Sequence, residues 1–239
     1  MNIIIPIAGL GSRFPKEIYT LPKPLIQIGD KPMIIRAIES LNLKGNYHFV
    51  IRKSPYSENL KQTIISYIKD ANVLEIDYLT EGPACSALLF EDAVNNDSEL
   101  VIANCDQIME WNSDVFLANA RLYDGLVVTY FSQTKKNSYA RINTYGDVVE
   151  IKEKEVVSSI SLNGIHYWKK GEDFITSAKR MIAADERCNN EFYIGPTYNY
   201  LIASQKKIGI FHIPQQMHHA VGVPEDLELF INYENSKNK

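Results

Sequence analysis

Cysteine is scarce and scattered. Cys85, Cys105 and Cys188 are the three in 239 residues, and no Cys-x-x-Cys pair occurs. A disulfide framework and a zinc ribbon are therefore excluded, and a reducing, cytoplasmic setting is expected. Charge of one sign is missing too: 25 Lys and Arg stand against 29 Asp and Glu, a formal net charge of −4. No basic stripe is present, so nucleic acid is not expected as a partner. No run reaches the roughly 18 apolar residues of a membrane span. The N-terminal Met1-Asn2-Ile3-Ile4-Ile5-Pro6-Ile7 lacks the basic flank and cleavage site of a signal peptide. No membrane insertion is expected. A Gly-Lys-Ser/Thr phosphate loop is absent as well.

What is present is ordinary globular usage, 45% hydrophobic and 23% charged. A chain this long buries a sizeable core without staples. Asn2 to Ile7 is short, β-branched and apolar on both faces, the pattern of a central parallel strand. Pro32 to Leu41 carries Met33, Ile34, Ala37, Ile38 and Leu41 at helical spacing. His48 to Ile51, Val73 to Leu79 and Glu99 to Ala103 read as strands, Ser57 to Lys69 and Pro83 to Val94 as helices. This alternation predicts a doubly wound parallel α/β sheet. Beyond it, Gly125 to Ser132 and Ile160 to Trp168 read as strands, Arg141 to Ile151 as a hairpin and Glu172 to Ala183 as a helix. These form an α+β lobe laid on the open sheet. Asn235 to Lys239 reads as a frayed tail. One domain over residues 1–235 is expected.

The first strand runs into Ala8-Gly9-Leu10-Gly11-Ser12-Arg13, and Leu21-Pro22-Lys23-Pro24-Leu25 follows. A small-residue loop after a strand lets backbone N–H groups approach a phosphate closely. Arg13 and Lys23 add fixed positive charge suited to clamping a triphosphate; the alternative is a turn with two solvated cations. Asp106, in Asn104-Cys105-Asp106-Gln107, ends a strand. Open α/β sheets bind ligands at the carboxyl ends of their strands. Magnesium takes one or two carboxylates with phosphate oxygens and water, which makes Asp106 a candidate ligand; a helix cap is the alternative. Glu81-Gly82-Pro83-Ala84 brings small residues to a helix start, leaving room for a planar base. Asn190 to Asn199 is dense in aromatic and polar groups suited to a sugar, or is a core helix start. Val149 to Lys154 reads as a charged edge strand.

Gly9-Leu10-Gly11-Ser12-Arg13 together with Pro22-Lys23-Pro24 resembles the signature of sugar-phosphate nucleotidylyltransferases, the NDP-sugar pyrophosphorylases. The similarity runs over roughly residues 2–230 and is to the short single-domain type. It implies a Rossmann-like fold of the nucleotidyltransferase and GT-A type, three layers α/β/α with a mostly parallel sheet and a small acceptor-binding lobe. Residues 1–110 would bind an NTP and residues 111–235 a small phosphorylated acceptor. The two would condense to an NDP-linked product and pyrophosphate, with Mg2+ as cofactor. Arg13 and Lys23 would be the catalytic, phosphate-binding pair, and Ala8, Gly9, Leu10, Gly11 and Ser12 would embrace the nucleotide. Glu81, Gly82 and Ala84 would lie at the base, and Asp106 would hold the metal. Glu153, Lys154, Asn163, Gly164, Glu191 and Tyr193 would bind the acceptor. A role in capsule or lipopolysaccharide biosynthesis is implied by the same resemblance, and no further C-terminal domain is expected.

The chain also departs from the family pattern. Gly222-Val223-Pro224-Glu225-Asp226-Leu227 resembles its closing motif with Val223 in place of Thr, and Glu225 and Asp226 read as first-turn helix residues. Many members carry a second metal-binding Asp where this chain has Ala220. Either Asp106 works with phosphates and water alone, or Glu191 or His219 substitutes, or catalysis is lost. Pro83 in the base loop leaves the nucleobase open. His166 reads as structural. The rival readings are a CTP-dependent cytidylyltransferase acting on a non-sugar phosphate, a GT-A glycosyltransferase and a non-catalytic sensing relative. Assembly into a homo-oligomer stays open.

Overall fold

The computed structural model describes residues 1–15 and 17–237. In chain order the strands are β1 (Asn2–Ile7), β2 (Gln27–Ile28), β3 (Lys31–Pro32), β4 (Asn46–Arg52), β5 (Asn72–Ile76), β6 (Leu100–Ala103) and β7 (Gln107–Met109). They continue with β8 (Gly125–Phe131), β9 (Ser138–Ile142), β10 (Val148–Glu153), β11 (Ile160–Trp168), β12 (Ile208–His212) and β13 (His218–Ala220). The helices are α1 (Met33–Leu41), α2 (Ser57–Tyr67), α3 (Pro83–Leu88), α4 (Glu91–Val94), α5 (Ser113–Ala120), α6 (Gly171–Ala183), α7 (Tyr198–Ala203) and α8 (Pro224–Lys237). No helix among the described residues is long and apolar enough to cross a membrane.

Nine strands make one sheet in the order β10-β9-β11-β6-β1-β4-β5, with β8 on β11 and β12 on β8. β6, β1, β4 and β5 run parallel, so their carboxyl ends share one edge. Both faces of these strands are covered, which is why their residues are apolar without alternation. Ile3 and Ile5 pack toward α1, α2 and α5 through Ile34, Ile38, Leu60, Ile64 and Phe116. Ile4 and Val50 pack the other way, toward α3, α6 and α7, through Ala84, Ala87, Phe174, Ala178 and Leu201. The three-layer α/β/α arrangement implied by the sequence is thus present.

β11 joins the parallel strands to the β9–β10 hairpin. Its last residues lie antiparallel to β6, and its register against β8 slips between Leu162 and His166. The slip falls at Gly164, whose φ is +94°. A Cβ there would run into the Asn104 side chain. Glycine is therefore required on two grounds, conformation and space. The bend lets Ser161 pair with Tyr139 of β9 while Ile165 to Trp168 stay on β6.

Two expectations need correction. Pro83 to Val94 is not one helix. α3 ends at Leu88 and α4 begins at Glu91, because Phe90 turns into the core against His48, ring centroids 5.0 Å apart. Nor does the chain fray from Asn235. α8 continues to Lys237, tied down by the Arg36–Glu234 ion pair and by Lys237 on Glu110 at 2.7 Å. Asn238 and Lys239 of the expected tail lie outside the described residues. Leu227 and Phe230 of α8 close a third apolar cluster with Phe14, Ile28, Met33, Ile108 and Val221. That cluster roots the loop after β1 on the C-terminal helix.

Gly164→Ala is expected to lower stability by about 1–3 kcal/mol, the usual scale of a residue forced into a sparsely populated backbone region. Urea denaturation measures it, and an unchanged midpoint would refute the strain assigned to this bend.

Candidate functional site

β1 delivers the chain to the shared carboxyl edge of the sheet and leaves it as the exposed loop Gly9 to Arg13. Gly11 takes φ +62°, and its open side faces the Lys23 stem. Lys23 sits in a tight turn that Pro22 starts. Pro22 and Pro24 restrict the backbone on either side of it, the Leu25 N–H donates to the Pro22 carbonyl at 2.8 Å, and Leu25 is buried in the core. This holds the Lys23 ammonium against the Asp106 carboxylate, which arrives from the end of β6.

Both charges are largely out of water. Burial acts to lower the Lys23 pKa, but the Asp106 carboxylate opposes it and the net direction is up. Burial acts to raise the Asp106 pKa, but Lys23 opposes it and the net direction is down. The pair is therefore ionised. Burial pushes the neighbouring Cys105 thiol up to about 11, which leaves it a thiol rather than a nucleophile. Gln107 donates to Asp106 Oδ1 at 3.2 Å and accepts from His218 Nε2. His218 is neutral, since burial takes its pKa down to about 4. A Cβ at Gly222 would strike the Asp106 carboxylate.

These groups open on a cleft of about 1440 Å³, wide enough for a nucleotide and a second small molecule. On its far wall β10 ends at Glu153, and Lys154 follows with φ +56°. That left-handed conformation is uncommon for lysine and is the kind of local strain that functional sites retain. The Lys154 ammonium meets the Tyr193 hydroxyl and lies 4.4 Å from the ring centroid. Tyr193 in turn donates to Glu191 Oε2 at 2.6 Å. Glu153 accepts from the Ser138 hydroxyl, and burial raises its pKa.

The structure thus brings together Gly9, Leu10, Gly11, Ser12, Arg13, Lys23, Asp106, Glu153, Lys154, Asn163, Gly164, Glu191 and Tyr193. Asn163 is on the wall, but its side chain serves the Ile165 N–H and the Met109 sulfur. Ala8, Glu81, Gly82 and Ala84 are not on the cleft wall. Ala8 and Ala84 are core residues, Glu81 pairs with Arg187 at 2.9 Å, and Gly82 is pressed against the Phe192 backbone. His219 does not stand in for the carboxylate missing at Ala220: it turns to Glu110 at 3.2 Å and packs against the rings of Phe230 and Tyr233. Glu191 belongs to the Lys154 group. His166 is buried as expected of a structural residue, although it reaches the cleft floor.

Several cleft residues escaped the sequence reading: Arg52, Tyr130, Lys136, His218 and Asp226. Asp226 is indeed a first-turn residue of α8, yet it faces the cleft close enough to feel Lys136, Arg13 and Asp106. Arg52 ends β4 at the same sheet edge as Asp106, and the strand-end argument applied to Asp106 would have found it.

The donor set does not make a protein cage for a metal ion. No group of three or more His, Cys, Asp or Glu gathers among the described residues. The Asp106 carboxylate beside the glycine loop would hold a divalent cation only together with phosphate oxygens and water.

The cleft thus carries a cation–carboxylate pair, Lys23 with Asp106, an exposed glycine loop and a second lysine, Lys154. A family model described as Nucleotidyl transferase matches residues 3–207, and the chain belongs to that family. The mannose-1-phosphate guanyltransferase of Schizosaccharomyces pombe is 32% identical over 116 residues, 46% of this chain and 32% of that protein. That of Saccharomyces cerevisiae is 32% identical over 115 residues, with the same coverage. The match thus takes in about a third of the length of these relatives. Among solved structures, a nucleoside-diphosphate-sugar pyrophosphorylase from Vibrio cholerae RC9 superposes with a TM-score of 0.85 at 22% identity, covering 96% of this chain and 99% of that one. A UDP-glucose pyrophosphorylase complexed with UDP-glucose superposes at 0.75 and 16% identity, covering 99% and 98%. At these identities the structural likeness is one of fold.

Gly222→Ala is expected to displace the Asp106 carboxylate and to cut nucleotidyl transfer by about 100-fold, the usual penalty for a misplacement near 1 Å. Steady-state rates test this, with circular dichroism to show an intact fold; a rate within a factor of three of the parent would refute it.

Proposed function

We propose that the chain is a nucleotidyltransferase that condenses an NTP with a sugar phosphate, giving an NDP-sugar and pyrophosphate. The observation that carries this is the ionised Lys23–Asp106 pair below the Gly9–Arg13 loop, facing Lys154 across one cleft. The chain would act as one domain over residues 1–235, with 1–110 holding the NTP and 111–235 the acceptor. Free cysteines at Cys85, Cys105 and Cys188 support a cytoplasmic setting. Supply of activated sugar for surface-polysaccharide assembly rests on the sequence resemblance.

The acceptor phosphate is already an anion, so no general base is needed. One of its oxygens bonds to the α-phosphorus of the NTP, and the bond from that phosphorus to the oxygen bridging it to the β-phosphate breaks in line. Lys154, presented by its left-handed backbone and braced by Tyr193 and Glu191, holds the attacking phosphate and offsets repulsion between two anions. Arg13 and Lys23 hold the departing pyrophosphate, where negative charge builds up. Asp106, with the substrate phosphates, would hold a magnesium ion that supplies further charge neutralisation. Tyr193 and the half-buried Glu153 offer hydrogen-bonding groups to sugar hydroxyls.

Release of pyrophosphate from crossed panels of NTPs and sugar 1-phosphates tests the activity. Lys23→Ala and Asp106→Ala should each lower turnover by at least ~100-fold. Rates near the parent in either variant would remove these residues from their roles. Chelation with EDTA should abolish release and added Mg2+ should restore it; turnover that survives chelation would remove the metal from the mechanism.

A further inference from the structure

The loop that opens α3 has little left to offer a nucleobase. Pro83 has no amide hydrogen. The Ala84 N–H donates to the Phe192 carbonyl at 3.0 Å, and the Ser86 N–H to the Gly82 carbonyl at 3.1 Å. The Glu81 carboxylate is engaged by Arg187. Of residues 81–84, Pro83 is the one on the cleft wall. What this loop adds to the cleft wall is thus Pro83, and base selection would fall to a side chain elsewhere on the wall.

Arg52 stands on the same wall. It is the last residue of β4, in register with Ile76 of β5, at the edge where the parallel strands deliver their ligand-binding residues. Its Nε is buried and has no hydrogen-bond partner, and its guanidinium makes no ion pair with any described residue. A buried donor without a partner is rare in a folded protein and calls for an explanation. The same cleft is lined by Tyr56, Leu79 and Pro83, planar and apolar surface on which a flat ring can lie.

We infer that Arg52 reads the nucleobase of the NTP and selects a base with two adjacent acceptors, guanine or cytosine. The guanidinium presents donors in a rigid fork and has no acceptor. Guanine offers O6 and N7 side by side, the usual bidentate partner of arginine. Cytosine offers O2 and N3 in the same relation. Adenine sets an amino donor beside each ring nitrogen of its readable edges. In uracil and thymine an N–H separates the two carbonyls. This inference rests on the nucleotidyltransferase reading above.

The test is calorimetric binding of GTP, CTP, ATP, UTP and dTTP, each with Mg2+, to the parent protein, Arg52→Lys and Arg52→Gln. The parent should prefer GTP or CTP, and the panel itself separates the two. Arg52→Lys keeps the charge and loses the fork. It should weaken the preferred NTP by about 5–150-fold, the range of one bidentate base contact, and leave the others unchanged. Arg52→Gln, which can donate and accept, should flatten the discrimination even if the lysine variant folds poorly. A uniform loss for all five NTPs would place Arg52 on phosphate and overturn the inference. So would a parent preference for ATP, UTP or dTTP, or discrimination that survives both variants. If no NTP binds the parent, the nucleotidyltransferase reading itself fails.

Discussion

The ion pair between Lys23 and Asp106 is the contact on which the rest of the site depends. Moving a single charge out of water costs several kcal/mol even after relaxation, and a lone Lys23 or Asp106 at this depth would shift toward its neutral form. Each is tolerable because the other is there. The requirement passes outward. Two prolines constrain the turn around Lys23, and the sheet fixes the end of β6. The Val221 N–H holds the Asp106 carbonyl at 2.9 Å, and glycine at 222 leaves room for the carboxylate. The apolar cluster around Phe14, Val221 and Leu227 then keeps loop, ribbon and C-terminal helix in one place.

The cleft's electrostatics follow from the same control of burial. Arg13, Lys23, Lys136 and Lys154 all reach it, while the two histidines on its wall carry no charge. Burial lowers His166 to about 3 and His218 to about 4, so both are neutral rings near pH 7. The cations of the cleft are thus lysines and arginines rather than histidines. The carboxylates Asp106, Glu153 and Glu191 are each engaged by a named donor, Lys23, Ser138 and Tyr193. A site built this way presents positive charge while its carboxylates are occupied by their own donors.

Much of the scaffold was legible because periodicity reports burial. The unbroken apolar run of β1 and the helical spacing of α1 match the structure closely, and β11 begins and ends where expected. The ribbons β2–β3 and β7–β13 were not legible, since pairs of two or three residues leave no period to detect. The split between α3 and α4 was hidden for another reason. Phe90 fits a helical stripe, and only its contact with His48 takes it out of one. α8 was seen at its start and lost at its end, because what holds Asn235 to Lys237 is distant in sequence: Arg36 from α1 packs on this helix and Glu110 lies just after β7.

The sequence by itself determined the charged and glycine-rich pieces of the site: the Gly9–Arg13 loop, Lys23 between prolines, Asp106 at a strand end and the Glu153–Lys154 pair. Each is a local pattern with a local physical reason, and each reaches the cleft. Tertiary structure decided the rest. It set Lys23 on Asp106, separated by 83 residues. It turned His219 to Glu110 and faced Asp226 into the cleft, from positions that look alike in sequence. It closed the loop before α3 on Phe192 and left the Arg52 Nε without a partner. Which neighbour satisfies a polar group depends on what the folded chain brings within about 3 Å, and spacing along the chain carries no record of that distance.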